Sequence, residues 1–380
     1  MKITIAIDSF KGSLSTTEAG EAVGEGFSRI FPDAEICVSP LADGGEGTLD
    51  AIISARNGRI KTVSVSDPLG RKISAEYGII DADGTAIIEM ARAAGLTLIP
   101  ESERNPLYTT TFGVGELILD AIGEGCRSFV IGIGGSATND GGAGMLKALG
   151  VKFLDSRGLE IENGAIGLKD LAKISLDGMP RELSDCKFSV ACDVKNPLCG
   201  ENGASAVYGP QKGADEKTVK EMDSYLARYA ELTKQILPLS DACAKGAGAA
   251  GGLGFAFMSY LGATLSSGID IVIKETDLER HVKGSSLVIT GEGRIDSQSA
   301  MGKAPTGVAR LAKKYGIPTI AIGGGVKDDA TLCHEHGIDA IFPAVRTPIS
   351  LEAAMEKSTA KKNLTSTAEE IARLIAAFEK

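Results

Sequence analysis

The chain has 380 residues, with 40 Lys+Arg against 50 Asp+Glu and a formal net charge of −10. That length accommodates roughly two domains of about 100–200 residues, and 43% apolar with 24% charged residues is the balance of an ordinary globular protein. An acidic chain with no Trp and few aromatics has neither the basic stripe nor the stacking platforms of a nucleic-acid binder, nor the basic surface that seeks an anionic membrane.

Glycine is the outlier: 48 residues, about 13% where roughly 7% is usual, gathered in clusters between apolar runs. The seven Cys (37, 126, 186, 192, 199, 243, 333) form no CxxC pair, which predicts free thiols in a reducing cytoplasm. The apolar run after Met1 is closed by Asp8, too short for a signal peptide. Residues 246–269 carry no charge but are rich in Gly and hydroxyls, which reads as a buried helix and loop, not a membrane span.

In chain order, Ile3–Ile7 reads as a buried parallel strand, and the capping box Ser15-Thr16-Thr17-Glu18 starts a helix running to about Arg29. A second strand near 34–39 ends at Ala42-Asp43-Gly44-Gly45-Glu46-Gly47-Thr48, followed by a helix to about Ala55. Residues 61–90 hold three strand-like runs separated by Asp67-Pro68-Leu69-Gly70 and Asp81-Ala82-Asp83-Gly84, an antiparallel meander. A helix near 111–123 and a strand 129–133 lead into a Gly-rich loop; a strand 188–192 and a charged helix 215–236 follow. The last hundred residues alternate strictly: strand 286–290, a loop 291–296, a helix from Pro305 with Val308, Leu311, Ala312 and Tyr315 on one face, strand 318–322, glycines 323–325, a helix, and strand 340–345. The expected fold is α/β, with two α/β domains: a discontinuous flavodoxin- or Rossmann-like parallel-sheet domain from residues 1–60 and 280–380, and a second α/β domain, 61–279, inserted in it.

Five loops place Gly, an acid or amide, and often Lys or Ser at an expected strand end, the edge where open parallel sheets bind ligands. Asp8-Ser9-Phe10-Lys11-Gly12-Ser13 offers a carboxylate for a metal or hydroxyl and a lysine for an anion. Asp43-Gly44-Gly45-Glu46-Gly47-Thr48 is nest-like, although its two acids call for a cation beside any bound anion. Gly132-Ile133-Gly134-Gly135-Ser136-Ala137-Thr138-Asn139-Asp140 satisfies a relaxed dinucleotide fingerprint, with Asp155 at the spacing of a ribose-binding acid. Asp193-Val194-Lys195-Asn196-Pro197-Leu198 presents a candidate base or an Asx-turn. Gly291-Glu292-Gly293-Arg294-Ile295-Asp296, with Gly302-Lys303 ahead of the Pro305 helix, offers oxygen ligands for Mg²⁺ and a phosphate seat, yet it is not a Walker loop. Cys333-His334-Glu335-His336 is read as a solvated helix end, because neighbours on a helix splay instead of converging on a metal. Carboxylates, lysines and Gly loops are the toolkit of phosphoryl transfer, so the residues point to a kinase or another nucleotide-using enzyme.

At these loops the sequence resembles the class I glycerate kinase family, of the bacterial glycerate 2-kinase type. Beyond the motifs above, Gly251-Gly252-x-Gly254 and Ser267-Gly268-Ile269-Asp270 carry the likeness, in order from residue 8 to 303. The resemblance implies ATP- and Mg²⁺-dependent phosphorylation of D-glycerate, giving 2-phosphoglycerate, on two α/β domains. On it, Asp193 and Lys11 are the expected catalytic residues, and Asp8, Ser9, Asp43, Gly44, Gly45 and Asn196 the expected substrate contacts. Gly134, Gly135, Ser136, Thr138, Asn139 and Lys303 are expected to hold the nucleotide, and Glu292 and Asp296 the metal. The expected partner is a small molecule, with no nucleic acid and no membrane, and a homodimer is an assembly to be tested. A dinucleotide-dependent oxidoreductase using Gly132–Ala137 and a non-catalytic sugar-acid-binding protein are the alternatives.

Overall fold

The computed structural model describes residues 1–378. The chain folds as two compact units. The first comprises Met1–Asp43, Asp50–Arg56 and the residues from Ile269 on; the second comprises Gly44–Leu49 and Asn57–Gly268. In chain order the strands are β1 (Lys2–Ile7), β2 (Glu35–Val38), β3 (Arg59–Ser66), β4 (Lys72–Ile80), β5 (Thr85–Glu89), β6 (Ser128–Gly132), β7 (Lys152–Leu154), β8 (Lys173–Ser175), β9 (Lys187–Ala191), β10 (Thr264–Ser266), β11 (Leu287–Ile295), β12 (Thr319–Val326) and β13 (Ala340–Pro343).

In the first unit a sheet runs β13-β12-β11-β1-β2, every pair parallel. Alternation in β1 sends Ile3, Ile5 and Ile7 to one face, where they share a core with Val23 and Phe27 of the helix Thr16–Ser28 and Leu364 and Ile371 of the helix Lys357–Phe378. Ala6 faces the opposite core, with Leu41, Val288, Val308 and Leu311. A sheet covered on both faces is what β-branched runs without polar alternation encode. The capping box is formed as spelled: Ser15 Oγ accepts from Glu18 N, and the Glu18 carboxylate accepts from Ser15 N. The helix Ala304–Lys313 buries Val308, Leu311 and Ala312, but Tyr315 lies beyond its end, 40% exposed, donating to Glu279.

One expected loop is not a loop. Strand β11 continues through Glu292, Gly293 and Arg294 to Ile295, pairing Glu292 with Gly323 and Arg294 with Gly325. The glycines on both sides remove the side chains that would force the strands apart, so the two Gly-rich stretches extend the ladder.

The second unit has a sheet of order β10-β9-β6-β5-β4-β3, parallel from β10 to β5 and antiparallel from β5 to β3. The meander is therefore one end of a mixed sheet. Phe129 and Phe188 stack on adjacent strands with ring centroids 4.8 Å apart, and Tyr229 of the helix Glu216–Ile236 meets Phe255 edge-on at 5.5 Å. The uncharged stretch forms the helix Ala249–Leu261 and β10. Among the described residues no helix is long and apolar enough to cross a membrane, and the cysteines are free thiols.

Candidate functional site

The strand order of the first unit reverses between β1 and β11: β2 is added on one side, β12 and β13 on the other. Loops leaving the carboxyl ends of two such strands diverge and open a crevice. Here the crevice is a cavity of about 650 Å³ whose walls include Asp8, Ser9, Lys11, Asp43, Glu292, Asp296 and Lys303. Buried Thr16 fixes the approach of two of these segments, since its hydroxyl donates to Ile7 O at 2.5 Å and accepts from Leu41 N at 2.9 Å. After Asp8 the chain makes a tight turn, with Phe10 N donating to Leu14 O at 2.9 Å. That turn presents Lys11 to solvent and leaves the Ser13 hydroxyl buried without a hydrogen-bond partner among the described residues.

Asp8 is 3% exposed. Burial, reinforced by the Asp43 carboxylate, pushes its pKa up to about 7, against the opposing pull of Ser9 N–H and Lys11. Glu292 is also raised by burial, opposed by its Ser299 hydrogen bond and by Lys303. One Glu292 oxygen accepts from Ser299 Oγ; the other, Oε2, accepts no hydrogen bond among the described residues. Asp296 differs. Its Oδ2 takes Arg294 Nε and Nη2 at 3.0 and 2.8 Å, its Oδ1 caps the turn Ser297–Ala300 through Gln298 N, and Arg294 holds its pKa low. The expected metal pair is thus unequal: Glu292 has an open oxygen, whereas Asp296 spends its lone pairs within the protein. Among the described residues no three His, Cys, Asp or Glu converge as a metal cluster, the 333–336 run included. Mg²⁺ does not demand one, because it keeps waters and takes one or two carboxylates together with substrate phosphates. Lys303 sits at the N-cap of the Ala304–Lys313 helix, where the dipole favours an anion.

In the second unit, the carboxyl ends of β6, β9 and β10 carry the remaining expected residues. Gly44 is seated among them: at φ +91°, with a hypothetical Cβ 2.6 Å from Gly268 Cα and 2.8 Å from Ala191 Cβ, no larger residue fits. Beside it, Leu49 N donates to the buried Glu89 carboxylate at 3.0 Å, which anchors the segment containing Gly45. Asp193 accepts from Gly268 N at 3.1 Å, and Asn196 is held on both sides, donating to Asn202 O and accepting from Tyr208 Oη. Following β6, the loop and the turn that ends it are held by two groups with no role assigned from sequence. Asp140, fully buried, accepts from Thr111 N and Oγ1 at 2.8 and 2.9 Å and from Gly142 N and Gly144 N at 3.1 Å. Lys212, 2% exposed, donates to Ser136 Oγ at 2.8 Å and Thr138 O at 2.7 Å, and burial lowers its pKa to about 7. Asn139 donates to Ser205 Oγ, while its Oδ1 and the Thr138 hydroxyl are buried without partners among the described residues. The one sequence signal for Lys212 was its place in a Gly-Pro-Gln-Lys-Gly cluster, which has no fixed partner spacing.

The dinucleotide fingerprint fails on topology. Asp155 follows β7, which pairs only with β8 in a separate two-stranded sheet, whereas β6 lies between β5 and β9. Its carboxylate closes a local turn through Arg157 N and Leu159 N, so Asp155 does not stand at the end of a strand beside β6, where the motif needs its acid.

The profile described as "Glycerate kinase family" matches residues 3–376. A glycerate 2-kinase from Escherichia coli (strain K12) is 52% identical over 354 residues, covering 93% of each chain. A glycerate kinase from Bacillus subtilis (strain 168) is 48% identical, covering 99% of this chain and 98% of its own. A crystal structure from Salmonella typhimurium LT2, described as a glycerate kinase 2, superposes with a TM-score of 0.92 at 47% identity, covering 100% of this chain and 99% of the other.

Proposed function

The chain belongs to the glycerate kinase family, and from that premise we propose that it transfers the γ-phosphoryl group of ATP to a hydroxyl of D-glycerate, releasing ADP, a proton and 2-phosphoglycerate. The observation that supports this reading best is the first unit's cavity at a topological switch point, where Lys11 and Lys303 stand among Asp8, Asp43 and Glu292. Phosphoryl transfer needs this mixture of cations for phosphate and carboxylates for hydroxyl and metal. The preferred product follows the E. coli relative's description as a glycerate 2-kinase.

The roles divide by unit, and the two units are proposed as the protein's domains. In the first, Lys11 neutralises the glycerate carboxylate or the phosphoryl oxygens. Asp8, Ser9 and Asp43 receive the acceptor's hydroxyls, and Lys303 with the helix N-terminus behind it takes phosphate. Glu292 is the leading Mg²⁺ ligand, its open oxygen supported by Ser299, and Asp296 follows where Arg294 releases it. Bound there, Mg²⁺ supplies charge neutralisation across the triphosphate oxygens. In the second unit, Asp193 orients and deprotonates the hydroxyl, Gly44, Gly45 and Asn196 complete the acceptor contacts, and the loop holding Gly134, Gly135, Ser136, Thr138 and Asn139 gives N–H and hydroxyl donors to phosphate.

The test is ³¹P NMR of the protein with MgATP, with and without D-glycerate. The expected result is a monoester signal dependent on glycerate, with the proton coupling of a 2-phosphate. Intact ATP in the presence of folded protein and glycerate would remove the assignment, and a 3-phosphate pattern would change the product alone.

A further inference from the structure

The cavity of the first unit has a mixed lining. Beside the lysines and carboxylates already described, its wall includes the apolar side chains of Ile349, Leu351 and Met355, from the segment after β13, and of Leu364 from the last helix. Three of these large side chains are left exposed, Leu351 at 75%, Ile349 at 42% and Met355 at 37%, although all three line the same cavity. The same wall includes Asn363, half-buried, whose side-chain amide has no hydrogen-bond partner among the described residues. The short helix carrying Leu351 and Met355 is held in place by its own cap, Ser350 Oγ accepting from Ala353 N at 3.2 Å.

Glycerate does not match this wall. Every carbon of that acid carries oxygen, so it has no apolar face to cover exposed leucine and methionine. A cavity of about 650 Å³ is also in the range that encloses ligands of nucleotide size, roughly 300–1,000 Å³. A purine ring supplies what the wall lacks: two flat apolar faces, which Met and Leu side chains cover well, and a polar edge. For that edge an asparagine amide is a matched reader, since its oxygen and NH₂ pair with adenine N6 and N7.

We propose that the apolar side chains of this cavity's wall, Leu351, Met355 and Leu364, seat the purine base of the nucleotide, with the Asn363 amide reading the ring's polar edge. The inference rests on the kinase reading and extends it, assigning the base, as distinct from the phosphates, to residues 349–364. The base covers the exposed side chains, and the triphosphate runs toward Lys303 and Glu292.

Two experiments on the full chain test this. In calorimetric titrations with MgADP, Leu351→Asp and Asn363→Ala should weaken binding by about ten- to a hundredfold, the worth of one base stack. Tripolyphosphate affinity and the KM for glycerate should keep their wild-type values in both. Independently, 8-azido-ATP should label the tryptic peptides covering 347–357 or 363–373, with excess MgATP protecting. Wild-type ADP affinity in both variants, labelling confined to other peptides, or a rise in glycerate KM at constant ADP affinity would each overturn the base seat. Leu351 is a solvent-exposed position, so its variant is expected to fold, and circular dichroism checks this for both. The two readings fail separately. If ADP binds and labels as expected while glycerate is not phosphorylated, the acceptor assignment falls and the base seat stands. If glycerate is phosphorylated but labelling lies elsewhere, only the base seat falls.

Discussion

Asp8 shows at the scale of one residue how a site opposes the fold that carries it. Its pKa in the folded protein is about 7, against 3.8 as the reference, so between those values the folded state binds a proton that the unfolded state has released. Stability therefore falls as pH rises from about 4 to about 7, by an amount on the order of 4 kcal/mol. Asp8→Asn should raise the melting temperature at pH 8, the gain shrinking as pH is lowered toward 4, while turnover falls by about 100-fold or more. A gain that does not vary with pH would show that Asp8 is not the group opposing the fold. Asp193→Asn is the complementary case. Its backbone contact with Gly268 is one an amide oxygen also accepts, so the variant should fold and lose about 10²–10⁴ in kcat; a rate close to wild type would take Asp193 out of the base role. Asp8 and Asp193 were both visible in sequence as acids at strand ends. Lys212 was not, because what distinguishes it is a hydrogen bond to Ser136, 76 positions away, and no local pattern encodes that distance.

Elements translate these residues into positions. The helix Thr16–Ser28 is the most fully spelled of them, with its cap, its first-turn acid and its buried face readable in order. It supplies Val23 and Phe27 to one core and, through Thr16, ties the end of β1 to the segment leading to Asp43. Ser15→Ala should cost about 1 kcal/mol by urea denaturation; a change near zero would mean that tertiary packing alone sets where the helix begins. The loop after β6 is specified differently. Lys212 ties Ser136 and Thr138, and Asp140 ties the end of the loop to Thr111, so Lys212→Met, which strips partners from Ser136 Oγ and Thr138 O, should destabilise by about 1–3 kcal/mol. Hydrogen exchange at residues 136–138 should accelerate with it. Unchanged protection there would show that Asp140 suffices. The 291–295 stretch belongs to the same lesson. Glycine clusters usually mark turns, but here they lie opposite one another on β11 and β12 and build a strand.

For the whole molecule, the first unit offers a ligand far more than it needs for its own folding: a crevice, two lysines and buried acids that repel one another. Such a site is stabilised by its occupant. MgADP at about 100 times its Kd should add about 2.7 kcal/mol to the stability of the unit that binds it, read as a rise in melting temperature. Tripolyphosphate should reproduce part of that rise and glycerate alone a smaller one. No shift with any nucleotide would contradict a nucleotide site in this cavity. A net charge of −10 is compatible with an anionic ligand here, since a few lysines lining one cavity suffice for it.

Local chemistry was enough for the sequence to determine the α/β class, most strand and helix positions, the capping box, and the order of Gly-rich loops that identifies the family. Each of these depends on neighbours a few residues apart. The sequence could not show that Asp8 and Glu292, 284 positions apart, face one cavity, because that follows from β1 pairing with β11. Nor could it show that Asp155 lies outside the main sheet of its unit, that Asp296 is committed to Arg294, or that Leu351 and Asn363 line one cavity with Lys303. Strand order, burial and the competition for lone pairs decided those, and all three are properties of the folded chain.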